Sequence, residues 1–200
     1  MPWTPTTMNT MRDRILRATQ RLLGESGLAG AALNHLIAAS GAPRGSLYHY
    51  FPGGKAQWVG EALVAYGDYF AARAGSFLQR PGTAAENIEA LFADFAARMA
   101  KADYKAGCPV GAVILDLTSE ADSLRPICQS ILEAWQAQLV ARLDVIPEPR
   151  RAPLARFVLT SFEGASMMAR VERNNAPFLE AGALIRRLIE AEMKSPPANT

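Results

Sequence analysis

Histidine and cysteine are scarce in this 200-residue chain, with two of each, and no long apolar run is present. Two thiols, Cys108 and Cys128, make no disulfide framework, and their spacing has neither the CxxC nor the Cys/His form of a metal site. His35 and His49 both fall in the first quarter, so the rest of the chain has no imidazole for acid–base or metal chemistry. HExxH and GxSxG are missing as well, which leaves nothing to favour an enzyme, and no cofactor or metal is expected. No segment approaches the ~20 apolar residues needed to span a bilayer. The opening MPWTPTTMNT has neither the basic start nor the apolar centre of a signal peptide. A cytoplasmic protein without a membrane partner is expected.

What the chain does have is core material and an uneven charge. Half of its residues are hydrophobic and a fifth are charged, as in a globular protein with a real core. Net charge is only +2, yet residues 1–55 hold six basic residues against Asp13 and Glu25, which makes that segment +4 and the remainder −2. A basic head on a slightly acidic body is the electrostatic footprint of nucleic-acid binding, with a chance fluctuation in a short segment as the alternative.

Hydrophobic periodicity reads as helix throughout. Ile15, Thr19, Leu22 and Leu23 stripe a helix over Arg12–Ser26, with Gly27 as a left-handed C-cap. Leu33–Ser40 follows, packing Leu36 and Ile37 inward, and Gly41 permits a sharp turn. A third helix spans about Pro43 to Phe51 and is closed by Pro52-Gly53-Gly54. Lys55–Gln79 is long, with Trp58, Val59, Ala62, Leu63 and Tyr66 on its buried side. Thr83-Ala84-Ala85-Glu86 is a capping box opening a helix to about Ala102. Val110–Leu117, Leu124–Leu143, Ala152 to about Arg173, and Pro177–Lys194 complete the set. Ile146-Pro147-Glu148-Pro149 is expected as a loop with no helical option, and Ser195–Thr200 as a frayed end. No strand or repeat is found. The expected fold is all-α, about nine helices.

The segment from Gly27 to Lys55 has the build of a helix-turn-helix whose second helix enters the DNA major groove. Leu47 and Phe51 are i, i+4 partners that should anchor this helix, leaving Arg44, Ser46, Tyr48 and His49 outward. Arg44 can make bidentate hydrogen bonds to guanine or a charged contact to phosphate. Gly45 lets the helix backbone come close to DNA, and Tyr48 and His49 offer polar tips at phosphate distance. Tyr50 either touches a base methyl or packs at the edge. Asn34 on the preceding helix joins the candidate DNA contacts. Lys55 stands where the next helix begins, so its charge would add to the dipole in holding a phosphate. Gly53-Gly54-Lys55 is not a nucleotide loop, because His49 and Ala56 occupy the positions of the first glycine and the Ser/Thr.

The run Gly41-Ala42-Pro43-Arg44-Gly45-Ser46-Leu47-Tyr48-His49-Tyr50-Phe51 resembles the recognition segment of the TetR (tetracycline-repressor) family, roughly GVSKGTLYHYF. Gly27, Leu36-Ile37-Ala38 and Lys55 fit the same pattern, and APRGSLYHYFPGGK resembles the YxaF/LmrA branch. The specific similarity covers about the first fifty-five residues; beyond them only helix count and lengths agree. Two positions depart from the family pattern. Ala32 stands where Ser/Thr often caps the second helix and touches phosphate, and His35 where Asp is common. The resemblance implies a homodimeric, ligand-responsive repressor bound to a palindromic double-stranded operator and released by a small-molecule inducer. A DNA-binding domain over 1–55 and a ligand-binding and dimerisation domain over 56–200 are expected.

In the body, Phe92, Phe95, Met99, Cys108, Trp135 and Met167 could line an apolar pocket, or serve as ordinary core. Glu163, set in an apolar helix, would be its one orienting charge unless it faces solvent. Phe157, Ser161, Gly164 and Met168 run at i, i+4, i+7 and i+11; Leu184, Ile185, Leu188 and Ile189 form a second stripe. The small residues among them would allow close helix approach across a dimer face, unless both stripes merely close the core. Symmetry supplies the reason for a dimer, since a two-fold axis presents two reading helices to half-sites about one DNA turn apart. Two other classes remain: a constitutive DNA-binding protein without ligand, and a small helical enzyme with an accessory head.

Overall fold

A computed structural model describes residues 10–194. The expected terminal segments, Met1–Asn9 and Ser195–Thr200, lie outside the described residues. The chain is all-α: α1 (Met11–Gly30), α2 (Leu33–Ser40), α3 (Arg44–Tyr50), α4 (Gly54–Leu78), α5 (Ala84–Lys101), α6 (Pro109–Leu115), α7 (Arg125–Arg142), α8 (Glu148–Glu172) and α9 (Ala176–Lys194). A 3-10 turn, Ser119–Leu124, precedes α7. Nine α-helices stand among the described residues, as the periodicity requires.

Two boundaries differ instructively from expectation. The loop expected at 146–149 is instead the start of α8, with Pro147 as its N-cap and Pro149 in its first turn. First-turn N–H groups have no intrahelical partner, so a proline there loses nothing and its fixed φ suits the helix. The first helix also continues past Ser26. Ser26 (φ −145°, ψ 18°) and Gly27 (φ 61°, ψ −158°) break its geometry, and a last helical stretch runs on to Gly30. Gly27 has the expected positive φ, but its ψ is far from the left-handed helical region and is reached almost only by glycine.

Packing divides the chain into two compact units. One holds the described residues up to Tyr69 together with Lys105–Ile131; the other holds Phe70–Tyr104 and the described residues from Leu132 on. In the first unit, Ile15, Leu23, Leu36, Leu47, Phe51, Val59 and Leu63 are fully buried and tie α1 through α4 into one core. Arg12 sits over the Phe51 ring and pairs with Glu61, so α1 is fixed to the residue that ends α3 and to α4.

The second unit is built round aromatic rings. Phe162 on α8 meets Phe70, Phe92, Phe95 and Phe178 at centroid distances of 4.8 to 5.3 Å, and Phe70 lies 4.2 Å from Trp135. Thr83 caps α5 through the expected capping box with Glu86. Asp94 accepts hydrogen bonds from Arg98 (2.7 Å) and from Arg73, joining α4 to α5. Partial burial works to raise the Asp94 pKa, but the hydrogen bonds from Arg73 and Arg98 outweigh it and the net direction is down from the ordinary 3.8. A depressed carboxylate stabilises the fold above its unfolded pKa, and that contribution fades as pH falls through the lower folded value. Acid titration of wild type and Asp94→Asn should therefore show a stability difference near neutrality that shrinks as pH falls below the ordinary carboxylate range. A stability difference that does not change with acidification would contradict the role given to this network.

Candidate nucleic-acid interface

The turn between α2 and α3 comes from Gly41, whose φ of 65° and ψ of 17° place it in the left-handed region while its N–H bonds Ile37 O at 2.9 Å. Pro43 then N-caps α3 with an extended ψ of 145°. α3 is short, so its two faces separate cleanly. Leu47 and Phe51 are fully buried, which fixes the helix on the core of its unit. Arg44, Gly45, Tyr48 and His49 are exposed, whereas Ser46 and Tyr50 are half-buried. His49 and Tyr50 meet edge to face at 5.1 Å, and half of the Tyr48 side chain is open to solvent. Polar side chains and a backbone without a Cβ thus share one outer surface.

Gly45 has no neighbour that demands glycine: an added Cβ would meet nothing within 4 Å. Glycine inside a helix costs roughly 0.5–1 kcal/mol relative to alanine. Its presence here has no account in the protein's own packing. Asn34 and His35 are exposed on α2. His35 Nδ1 lies 3.3 Å from Gly30 O, so this departure from the family pattern donates back to the end of α1. Ala32 caps α2 with no side-chain hydrogen bond, which leaves the first N–H groups of α2 without a cap from that residue.

Lys55 is placed differently from the simple phosphate clamp read in the sequence. Its Nζ donates to Leu28 O at 2.6 Å. An ammonium has three donors, so two protons remain for other acceptors, but the side chain also holds the last stretch of α1.

The expected ligand-binding residues do not form one group. Phe92 and Trp135 line an internal cavity of about 20 Å³ in the second unit, with Phe70, Leu91, Val158 and Phe162 among its walls. Phe95 and Met99 are buried nearby in sequence on α5 but are not part of that lining. Met167 is exposed on α8, because the inward stripe of this helix is Leu154, Val158, Phe162, Ala165 and Ala169 and residue 167 falls on the opposite side. Glu163 is half-buried and does not line the cavity, whose one polar wall residue is Gln138, held by Ala71 O at 3.0 Å. Cys108 belongs to the other unit, where its Sγ accepts from Gly111 N at 3.5 Å and caps α6. Cys128 is buried as well, and burial pushes its thiol up, away from the reactive thiolate. The aromatic wall formed by Phe70 and Phe162 is legible in the sequence only as helical periodicity; nothing in the spacing says that the two rings meet.

Of the expected dimer residues, Phe157, Met168, Leu184 and Leu188 leave between 37 and 58% of their surface open, and Gly164 is exposed too. Ser161 is half-buried. Ile185 is buried, and so is Ile189. One step along a helix turns a side chain by about 100°, so Leu184 and Ile185 cannot share a face. α9 turns Phe178, Gly182, Ile185 and Ile189 inward and Leu184 and Leu188 out.

No helix among the described residues is long and apolar enough to cross a membrane, and no group of three metal-ligating side chains occurs among them.

Comparison with known proteins finds two family models that match. Residues 15–62 match the model of "Bacterial regulatory proteins, tetR family", and residues 84–184 that of "Transcriptional regulator LmrA/YxaF-like, C-terminal domain". An HTH-type transcriptional regulator of Mycobacterium tuberculosis is 32% identical over 193 residues, covering 93% of this chain and 97% of that protein. The HTH-type transcriptional regulator LmrA of Bacillus subtilis is 28% identical over 181 residues, covering 90% and 96%. The crystal structure of regulatory protein TetR from Rhodobacter sphaeroides superposes with a TM-score of 0.81 at 23% identity, covering 88% of this chain and 97% of that one, which speaks for the fold alone. With its helix-turn-helix head and these relatives, the chain belongs to the TetR family of bacterial transcriptional regulators, in the LmrA/YxaF-like branch.

Proposed function

We propose that the protein is a cytoplasmic, ligand-responsive transcriptional repressor that binds a palindromic operator as a homodimer. The reading head is residues 1–55, and residues 56–200 bind ligand and the second copy. The observation that carries this reading is the split of α3 into a buried Leu47/Phe51 face and an open Arg44/Tyr48/His49 face. A surface that is polar, basic and backed by rigid packing suits base and phosphate contact. Asn34, Ser46, Tyr50 and Lys55 flank it, and close approach of DNA gives Gly45 a reason.

The dimer is supported by the outer stripe of α8 and α9. Four large apolar side chains on adjacent helices are more than scattered surface residues. Gly164 in the middle of α8 has open space where a Cβ would be, as a second helix passing close would require.

Ligand response rests on the aromatic core of the second unit. A cavity of about 20 Å³ holds at most one water. A small-molecule site needs ~300 Å³ or more, so an inducer can enter this cavity only by separating rings. The ligand-bound state must then differ in shape from the free state, which is the condition for a ligand to shift a two-state equilibrium. The same closed core favours a second reading, a constitutive DNA-binding protein without ligand.

Selecting bound sequences from random DNA, then screening small molecules for release of the best site, separates the two. The first reading expects a two-fold symmetric site and at least one compound that weakens binding about 5–150-fold, the usual range of coupling. A symmetric site that no compound releases would leave the constitutive reading. Failure to enrich any sequence would overturn both.

A further inference from the structure

Within the first unit, one residue of the last stretch of α1 is held from both sides. The N–H of Leu28 donates to Asp116 Oδ2 at 2.7 Å, and the C=O of Leu28 accepts from Lys55 Nζ at 2.6 Å. Asp116 is the C-cap residue of α6, and Lys55 lies in the first turn of α4. The preceding residue is Gly27, with its glycine-only backbone at φ 61° and ψ −158°. A Cβ at Gly27 would displace the Asp116 carboxylate from this seat, and the positive φ favours glycine independently. At the other end of α6, Gly107 N–H donates to Gly24 O at 2.9 Å. The segment that includes α6 therefore grips α1 at two points, one on each side of the break at Ser26 and Gly27.

We propose that Asp116 is a positioning residue for DNA reading. Its carboxylate fixes the angle between the two parts of α1, and with it the pose in which α2 and α3 are presented. The physical logic is the position of the break. Non-helical geometry at Ser26 and Gly27 uncouples the direction of the last turn of α1 from that of the helix before it. The groups that hold Leu28 then set that direction. Asp116 is exposed, so removing its carboxylate leaves no cavity and no buried orphan. This inference rests on α3 being the reading helix.

The test compares wild type, Asp116→Ala and Asp116→Asn for binding to the selected operator and to a scrambled duplex of equal length. Phosphate contacts tolerate small changes of pose, whereas base contacts do not. Asp116→Ala should lose on the order of tenfold on the operator, the scale of one charge-assisted hydrogen bond. Its binding to scrambled DNA and its thermal midpoint should stay near wild type. Asp116→Asn keeps an oxygen acceptor for the Leu28 N–H and should restore operator binding. Hydrogen exchange at the Leu28 amide gives a second readout, slow in wild type and Asp116→Asn and faster in Asp116→Ala. An Asp116→Ala protein with wild-type operator affinity, or one weakened equally on both duplexes, would overturn the positioning role. Wild-type protein that does not prefer the operator would instead overturn the proposed function on which it rests.

Discussion

Replacing Phe157 and Leu184 together by glutamate should convert the protein to monomers and weaken operator binding by a factor of about 10²–10⁴. The factor is the loss of avidity when two linked heads become two separate ones. Phe157 and Leu184 leave 50 and 58% of their surfaces exposed within one protomer, so the substitutions remove little internal packing and the helices should persist. At an interface their effect is different. Two carboxylates per protomer would have to be desolvated against apolar neighbours, with like charges brought together across the two-fold axis. Light scattering reports the mass, circular dichroism the fold, and a titration against the operator the affinity. A variant that remains dimeric and binds like wild type would show that the exposed stripe on α8 and α9 is not the interface.

The second large effect concerns the ring cluster. Phe162→Ala should cost about 3–5 kcal/mol of stability, the range for removing a buried aromatic side chain. Phe162 is 5% exposed and meets four other rings, from α4, α5 and α9, so no single neighbour can relax into the space it leaves. For a chain of this length the thermal midpoint should fall by roughly 6–20 °C. The space created would also be lined by apolar walls, and such cavities accept small apolar molecules. Benzene or a similar probe should then raise the midpoint of the variant and leave wild type nearly unmoved. A loss below about 1 kcal/mol would mean that the rings repack freely, and the core of the second unit would not be a closed body.

The parts of the fold that can be read from the sequence are those set by local rules. α2 spans Leu33–Ser40, as its pattern predicts, because Gly41 fixes its C-terminus. The capping box at Thr83 sets the start of α5 in the same way. Pro147 and Pro149 mislead for an equally local reason: proline reads as a breaker, but in a first turn it is harmless. The outward face of α3 is legible because a seven-residue helix with two buried anchors leaves few choices for the rest. Lys55 and Asp116 are different. Both act on Leu28, at sequence separations of 27 and 88, and no pattern of spacing announces such a meeting. The ligand-binding set divides for a similar cause. Periodicity finds apolar stripes, yet which stripe closes a core, which lines a cavity and which stays outside depends on helix rotation. A single step along α9 decides it between Leu184 and Ile185.

The reading helix itself is tested most directly by operator titration of wild type, Arg44→Ala and Tyr48→Ala, each verified as folded. Both side chains are exposed, so stability should change by less than about 0.5 kcal/mol. Arg44→Ala should weaken operator binding by about 1–3 kcal/mol per half-site if it reads a base, and Tyr48→Ala should weaken it as well. Binding that stays at the wild-type level in both variants would contradict the assignment of α3 as the DNA-reading helix.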